Sequence, residues 1–145
     1  MKRVFCCLVV FLIVAGCTKT EKSRVPYAPV FFTVSLQYED KELSGLLKTK
    51  SFTKTRKAGE YIGYSGIFVV HGVDENFYAF DLCCPHEAQQ DVKVTPSDDG
   101  VATCSECKTV YDISYGGGYP MSGPSKHQLI RLDVIKNGQE LIIRY

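Results

Sequence analysis

The sequence has almost no net charge, only three histidines and no apolar run long enough to cross a membrane. Each shortage excludes a class of function. Seventeen basic side chains face sixteen acidic ones, a formal charge of +1, whereas nucleic-acid binders usually carry a strong basic excess. The longest apolar stretch, residues 4–15, falls short of the roughly 20 residues that a spanning helix needs. Helical periodicity is nearly absent too. Within residues 42–59 only Leu43, Leu46 and Leu47 have helical spacing, and Gly45 interrupts them. There is no internal repeat, no low-complexity tract, no phosphate-binding loop and no nucleophile–base pair. A chain of 145 residues, 45% apolar and 23% charged, has the length and balance of one folded domain, not two.

What is present begins with an address. Lys2 and Arg3 precede the apolar stretch, which ends in small residues, Val14-Ala15-Gly16-Cys17. A basic start, a short apolar run and small residues before a cut site are the parts of a secretory signal. The segment resembles the bacterial lipoprotein signal, with Val-Ala-Gly-Cys matching the lipobox. That resemblance implies a signal peptide over residues 1–16 and lipidation of Cys17, giving an exported, membrane-anchored lipoprotein on a periplasmic or surface face. An uncleaved N-terminal anchor is the alternative. Residues 17–29 are polar and charged and hold two prolines, which predicts a flexible tether ahead of a domain at 30–145.

That domain reads as all-β. Residues 30–36 are rich in β-branched and aromatic side chains, and residues 61–70 repeat this composition around Gly63 and Gly66. Residues 72–75 predict a turn into a strand over 76–82. Lys136-Asn137-Gly138 predicts a second hairpin between residues 129–134 and 140–145, since Asn-Gly accepts the backbone angles of a tight turn. Several short strands separated by turn signals indicate an antiparallel sandwich or barrel.

Two clusters carry the chemistry. Cys83-Cys84-Pro85-His86 follows one predicted strand, and Cys104-Ser105-Glu106-Cys107 follows another, residues 101–103. Thiolates and imidazole are the ligands favoured by iron–sulfur centres and by zinc. Two ligands two or three positions apart reach one centre from a tight loop, and two such loops supply four ligands. Cys84, His86, Cys104 and Cys107 are therefore the candidate metal and cofactor ligands. No catalytic residue is assigned.

Here the chain resembles the Rieske family. Cys-x-His, 17 intervening residues and Cys-x-x-Cys are similar to the family's Cys-x-His and Cys-x-x-His. Val110-Tyr111-Asp112-Ile113 resembles the segment after its second ligand pair, and residues 116–124, ending in Ser122-Gly123-Pro124, resemble its Gly- and Pro-rich loop. The resemblance implies a Rieske-like antiparallel β-sandwich whose two loops form a small subdomain around a [2Fe–2S] cluster. Cys84 and Cys104 would hold the inner iron, His86 and Cys107 the outer one. The implied function is one-electron transfer with an unidentified redox partner at a membrane face, which reads as an electron-transfer protein rather than a catalyst in its own right; the near-zero net charge argues against a nucleic-acid partner.

Cys107 departs from the family. A thiolate in place of a second histidine adds negative charge beside the iron, which places the expected potential between plant-type ferredoxins and ordinary Rieske centres. Gln89 and Glu106 stand where some members have a disulfide. The same four ligands also suit structural zinc, and Cys84 with Cys104 or Cys107 can form a disulfide in an oxidising compartment. A non-redox module with zinc, a disulfide or an empty site is thus the alternative. Ring-hydroxylating oxygenase chemistry needs a second iron with two histidines and a carboxylate. Only His71 and His127 remain for it, with no room for a catalytic domain. Cys83 reads as a buried apolar residue, because neighbours in an extended chain point to opposite faces. His71 reads as a surface residue. Tyr111 and Tyr119 fall near the centre by the resemblance.

Overall fold

Phe32 and Val34 are buried while Phe31 is half exposed, the period-two pattern of a strand with one face on a core. This is β1, Val30–Ser35. The computed structural model describes residues 24–145, so the expected signal peptide, Cys17 and the first part of the tether lie outside the described residues. Ten further strands follow: β2 (Thr49–Phe52), β3 (Tyr61–Ile62), β4 (Ile67–His71), β5 (Phe77–Asp81) and β6 (Val94–Pro96), then β7 (Val101–Cys104), β8 (Val110–Asp112), β9 (Tyr119–Ser122), β10 (Arg131–Asn137) and β11 (Glu140–Arg144). Among the described residues the single helical element is a 3-10 turn, Lys41–Ser44, and no helix is long and apolar enough to cross a membrane.

All pairings between these strands are antiparallel, as an all-β sandwich requires. The larger sheet has the order β2-β4-β5-β10-β11-β1-β3, the smaller one β6-β7-β8-β9. Strand β10 serves both halves of the larger sheet. Its Arg131 and Leu132 pair with β5, and its Asp133 to Asn137 pair with β11. The sheet folds over at this strand. Phe32 on β1 consequently meets Phe52 on β2, near opposite ends of the strand order, with ring centroids 4.8 Å apart. Val34, Ile67, Val69, Ala79, Leu132, Leu141 and Ile143 complete that core.

A second core lies between the larger sheet and the smaller one. Ile67 and Val69 face the first core, while Phe68 and Val70 face the second. Burial on both sides explains why β4 is an unbroken apolar run. Phe68 stacks on Phe80 at 5.3 Å, and Leu82, Val94, Ala102, Ile113 and Leu129 close around them. Cys84, Cys104 and Tyr111 belong to this core.

Four local expectations change. The strand expected over 61–70 divides into β3 and β4, because Gly63 and Gly66 take φ of 75° and 103°. The hairpin expected at Asn137-Gly138 turns one residue later, on Gly138-Gln139, with Asn137 paired to Glu140. Only Gly138 has a positive φ there, 60°, as in a turn with glycine at its first central position. Within 42–59, Leu43 is buried and Leu46 exposed, and the spacing gives one 3-10 turn followed by strand β2. Strand β9 forms inside the Gly- and Pro-rich segment.

Candidate metal centre

The two cysteine loops are built alike. Cys84 follows β5 and Cys104 ends β7, and each directs its carbonyl to the amide four residues on. Ala88 N–H donates to Cys84 O at 2.8 Å, and Lys108 N–H donates to Cys104 O at 3.1 Å. Ala88 and Lys108 take φ of 53° and 60°, which turns the chain back at the same point of each loop. Cys84 N–H donates to Val92 O at 3.0 Å, and Cys104 N–H to Thr109 O at 3.0 Å. The first residue of each pair is thus fixed at the base of its loop, and the second lies nearer the rim. Cys84 and Cys104 are buried, while His86 and Cys107 are half-buried.

The sulfurs of Cys84, Cys104 and Cys107 all lie within 4.8 Å of one another. Cys84 and Cys107 are separated by 3.6 Å. All four described cysteines are free thiols. Three soft donors meeting in a mostly buried space suit a thiolate-binding metal centre. The imidazole of His86 stands outside that tight group, on the same loop as Cys84.

The surroundings separate the two thiols of the second loop. Burial pushes the Cys104 thiol up to about 12. Burial acts the same way on Cys107, but hydrogen bonds from the Thr109 hydroxyl and amide and from the neighbouring sulfurs outweigh it and lower its pKa. Thr109 Oγ1 lies 3.2 Å from Cys107 Sγ and accepts the Ser125 amide at 3.2 Å. Thr109 Oγ1 thus accepts from both the Cys107 thiol and the Ser125 amide, and its own proton can turn to the sulfur once Cys107 is a thiolate. Tyr111 Oη lies 3.5 Å from Cys84 Sγ, and burial raises the phenol's pKa, so it stays a donor.

The remaining sequence candidates fall as follows. Cys83 is buried, its thiol turned to the Gln89 carbonyl at 3.4 Å, and burial raises it to about 11. It is a core residue. His71 stacks on Phe77 at 4.2 Å and is not one of the residues that converge with the thiols. Tyr119 is 62% exposed on β9 and makes no hydrogen bond to a thiol among the described residues. The main chain of His127 is held by the Ser125 hydroxyl. Gln89 and Glu106 are exposed.

Asp81 carries no signal in the sequence. Its buried carboxylate accepts three amides: Tyr64 at 2.7 Å, Ser65 at 3.3 Å and Cys83 at 2.8 Å. Burial raises its pKa and those amides oppose the rise. One side chain thereby ties the start of the first cysteine loop to the turn after β3. Gly63 makes room for it, since a Cβ there would lie 2.5 Å from Asp81 Oδ2. Gly123 does the same for the other loop. It has φ of 97°, and a Cβ on it would lie 2.5 Å from Thr109 Cα. Arg24 reaches the site as well, donating to the His86 carbonyl at 3.0 Å.

No protein-family model matches the chain, and no curated protein does. Solved structures do resemble it, among them the following two. One is from the complex of reduced oxygenase and oxidized ferredoxin in carbazole 1,9a-dioxygenase, 18% identical over 66% of this chain and 86% of that chain, with a TM-score of 0.43. The other is the quaternary ammonium Rieske monooxygenase CntA in complex with an inhibitor, 16% identical over 79% of this chain, with a TM-score of 0.50. The matched region is 31% of the monooxygenase chain. That likeness is one of fold, and the fold is Rieske-like.

Proposed function

We propose that this protein is a one-electron carrier with a [2Fe–2S] cluster, held at a membrane face by lipidated Cys17. The convergence of three sulfurs at the ends of two matching loops carries the reading. Cys84 and Cys104, buried at the loop bases, are the proposed ligands of the inner iron, and His86 and Cys107, nearer the rim, of the outer one. When bound, the cluster takes up and gives back one electron. The chain's own part is to hold and shield that charge. Leu82, Val94 and Ala102 keep water from the inner side, while the Tyr111 and Thr109 hydroxyls, beside the sulfurs of Cys84 and Cys107, would donate to them once they are ligating thiolates. The lipid on Cys17 concentrates the domain near membrane-bound redox partners on the outer side of the cell.

A second reading rests on one distance. Sulfurs 3.6 Å apart also suit a single tetrahedral zinc with Zn–S bonds of about 2.3 Å, His86 completing the set. Anaerobic purification with metal and sulfide analysis separates the two. Two irons, labile sulfide and a visible chromophore bleached by dithionite support the carrier. One zinc without a chromophore overturns it in favour of a structural site.

A further inference from the structure

The first cysteine loop is held at both ends by the turn after β3. The Cys83 amide at its start donates to Asp81, which also takes the Tyr64 and Ser65 amides. Its far limb is bonded twice to the same turn. Ser65 Oγ donates to the Gln90 carbonyl at 2.8 Å, and Gln90 Nε2 donates to the Tyr64 carbonyl at 2.8 Å. His86 lies between those points, in the middle of the turn closed by Cys84 O and the Ala88 amide. What holds it is Arg24, whose Nη1 donates to the His86 carbonyl at 3.0 Å.

Arg24 is brought there by a short strap that is itself bound down. The Pro29 carbonyl accepts the Gly63 amide at 3.1 Å, and the Tyr27 ring packs on that of Tyr145 at 5.2 Å. Val25 and Ala28 are half-buried. The strap therefore starts at Gly63, on the turn that ties both limbs of the loop, and crosses to the loop's middle. Arg24 and His86 are 62 residues apart in sequence, yet only five residues of chain separate Arg24 from the bond at Pro29. Cys107, the other rim residue, has its partner close by in Thr109. His86 takes its partner from the chain before β1.

We infer that Arg24 is a positioning residue for the centre: it pins the His86 carbonyl and so aims the imidazole toward the three sulfurs. The inference rests on the proposed reading of His86 as the fourth ligand. The sulfurs need no such help, because Cys84, Cys104 and Cys107 already lie within 4.8 Å of one another. The imidazole stands outside that group, so the backbone that carries it must deliver it. Fixing the carbonyl oxygen fixes the plane of the peptide that follows His86, and with it the direction in which the side chain leaves. A guanidinium suits the task, since its charge strengthens a bond to an exposed carbonyl and its planar fork loses little freedom on binding.

Full-length protein is compared with Arg24→Ala, which removes the donor, and with Arg24→Lys, which keeps a charged one. Backbone amide relaxation is measured by nuclear magnetic resonance on metal-free protein with its thiols reduced. The His86 and Glu87 amides are expected to lose order in Arg24→Ala and regain it in Arg24→Lys, while those of residues 105–108 in the second loop stay as in the wild type. With metal bound, release to a chelator is expected to be about tenfold faster for Arg24→Ala, the low end of what losing a ligand's partner costs, at an unchanged thermal midpoint. In the His86→Ala background the Arg24 change is expected to leave release unaltered, which a general loosening of the fold would not. Undiminished order at His86 and Glu87, equal loosening of both loops, a lysine variant as loose as the alanine one, or the same acceleration without His86 overturns the positioning. Release from His86→Ala as slow as from the wild type removes His86 as a ligand, and the positioning with it. A site that takes zinc in place of a [2Fe–2S] cluster overturns the electron carrier and leaves the positioning standing, because both readouts are independent of which metal is held.

Discussion

The hydroxyl of Tyr111 lies 3.5 Å from the sulfur of Cys84, and both residues are fully buried. A donor at a thiolate favours the more negative, reduced state of whatever centre that thiolate holds. Tyr111→Phe keeps the ring in the second core and removes only the donor. The potential of the reconstituted centre is expected to fall by on the order of 40 mV, equivalent to about 1 kcal/mol of hydrogen bonding. Redox titration followed in the visible range measures it. An unchanged potential would remove Tyr111 from the site's electrostatics.

Asp81→Asn tests the tie between the first cysteine loop and the turn after β3. Asparagine keeps one acceptor and turns an amide donor toward backbone N–H groups that need acceptors. The loss expected is about 1–3 kcal/mol in unfolding free energy. Metal release to a chelator is expected to speed up as well, since the Cys83 amide at the start of the loop is one of the three groups that the carboxylate holds. Equal release from variant and wild type, with reduced stability, would make Asp81 a fold residue without a role at the site.

Gly123→Ala addresses the second loop. Its φ of 97° is costly for alanine, and the added methyl meets Thr109 Cα at 2.5 Å. The backbone strain alone is on the order of 1–2 kcal/mol. Relief requires the loop to withdraw from Thr109, which carries the Ser125 amide away from the Thr109 hydroxyl. A lower thermal midpoint together with a changed potential is the expected outcome. A wild-type midpoint would show that the loop does not depend on this approach.

Asp40 makes stability sensitive to acid far from the cysteines. Burial on its own would raise its pKa. Lys50 at 2.9 Å, the Ser35 amide and Arg56 at 3.1 Å more than compensate, and hold the carboxyl below its ordinary value of 3.8. A pKa lower in the folded state than in the unfolded one gives stability that is complete above the unfolded value and lost as pH falls through the folded one. Denaturant midpoints are therefore expected to decline as pH falls through and below the ordinary carboxylate value of 3.8. Asp40→Asn is expected to be less stable at neutral pH and to show a flatter acid limb. An acid limb as steep as that of the wild type would assign the loss to other carboxylates.

The features legible in the residues alone are local in origin. Alternating and β-branched runs mark the strands, and residues 72–75 place the β4–β5 hairpin where the structure has it. The spacing within each cysteine cluster is legible because each loop is closed by its own backbone, four residues from its first cysteine. Cys83 is readable as a core residue because adjacent side chains in an extended segment diverge.

Whatever depends on partners distant in the chain was settled by packing. Strand β2, with the sequence Thr-Lys-Ser-Phe, has little apolar pattern, and pairing with β4 makes it a strand. Asp81 serves amides of Tyr64 and Ser65 that are 17 and 16 residues away, and Thr109 accepts the Ser125 amide across 16 residues. The Arg24 contact with His86 spans 62 residues. A side chain that satisfies a remote backbone group leaves no periodicity and no local motif, because its partner is fixed only when the sheets pack. The loops could be read one at a time. Packing brought Cys84, Cys104 and Cys107 within 4.8 Å of one another, because β4 and β5 bury both faces and draw the small sheet down onto the large one.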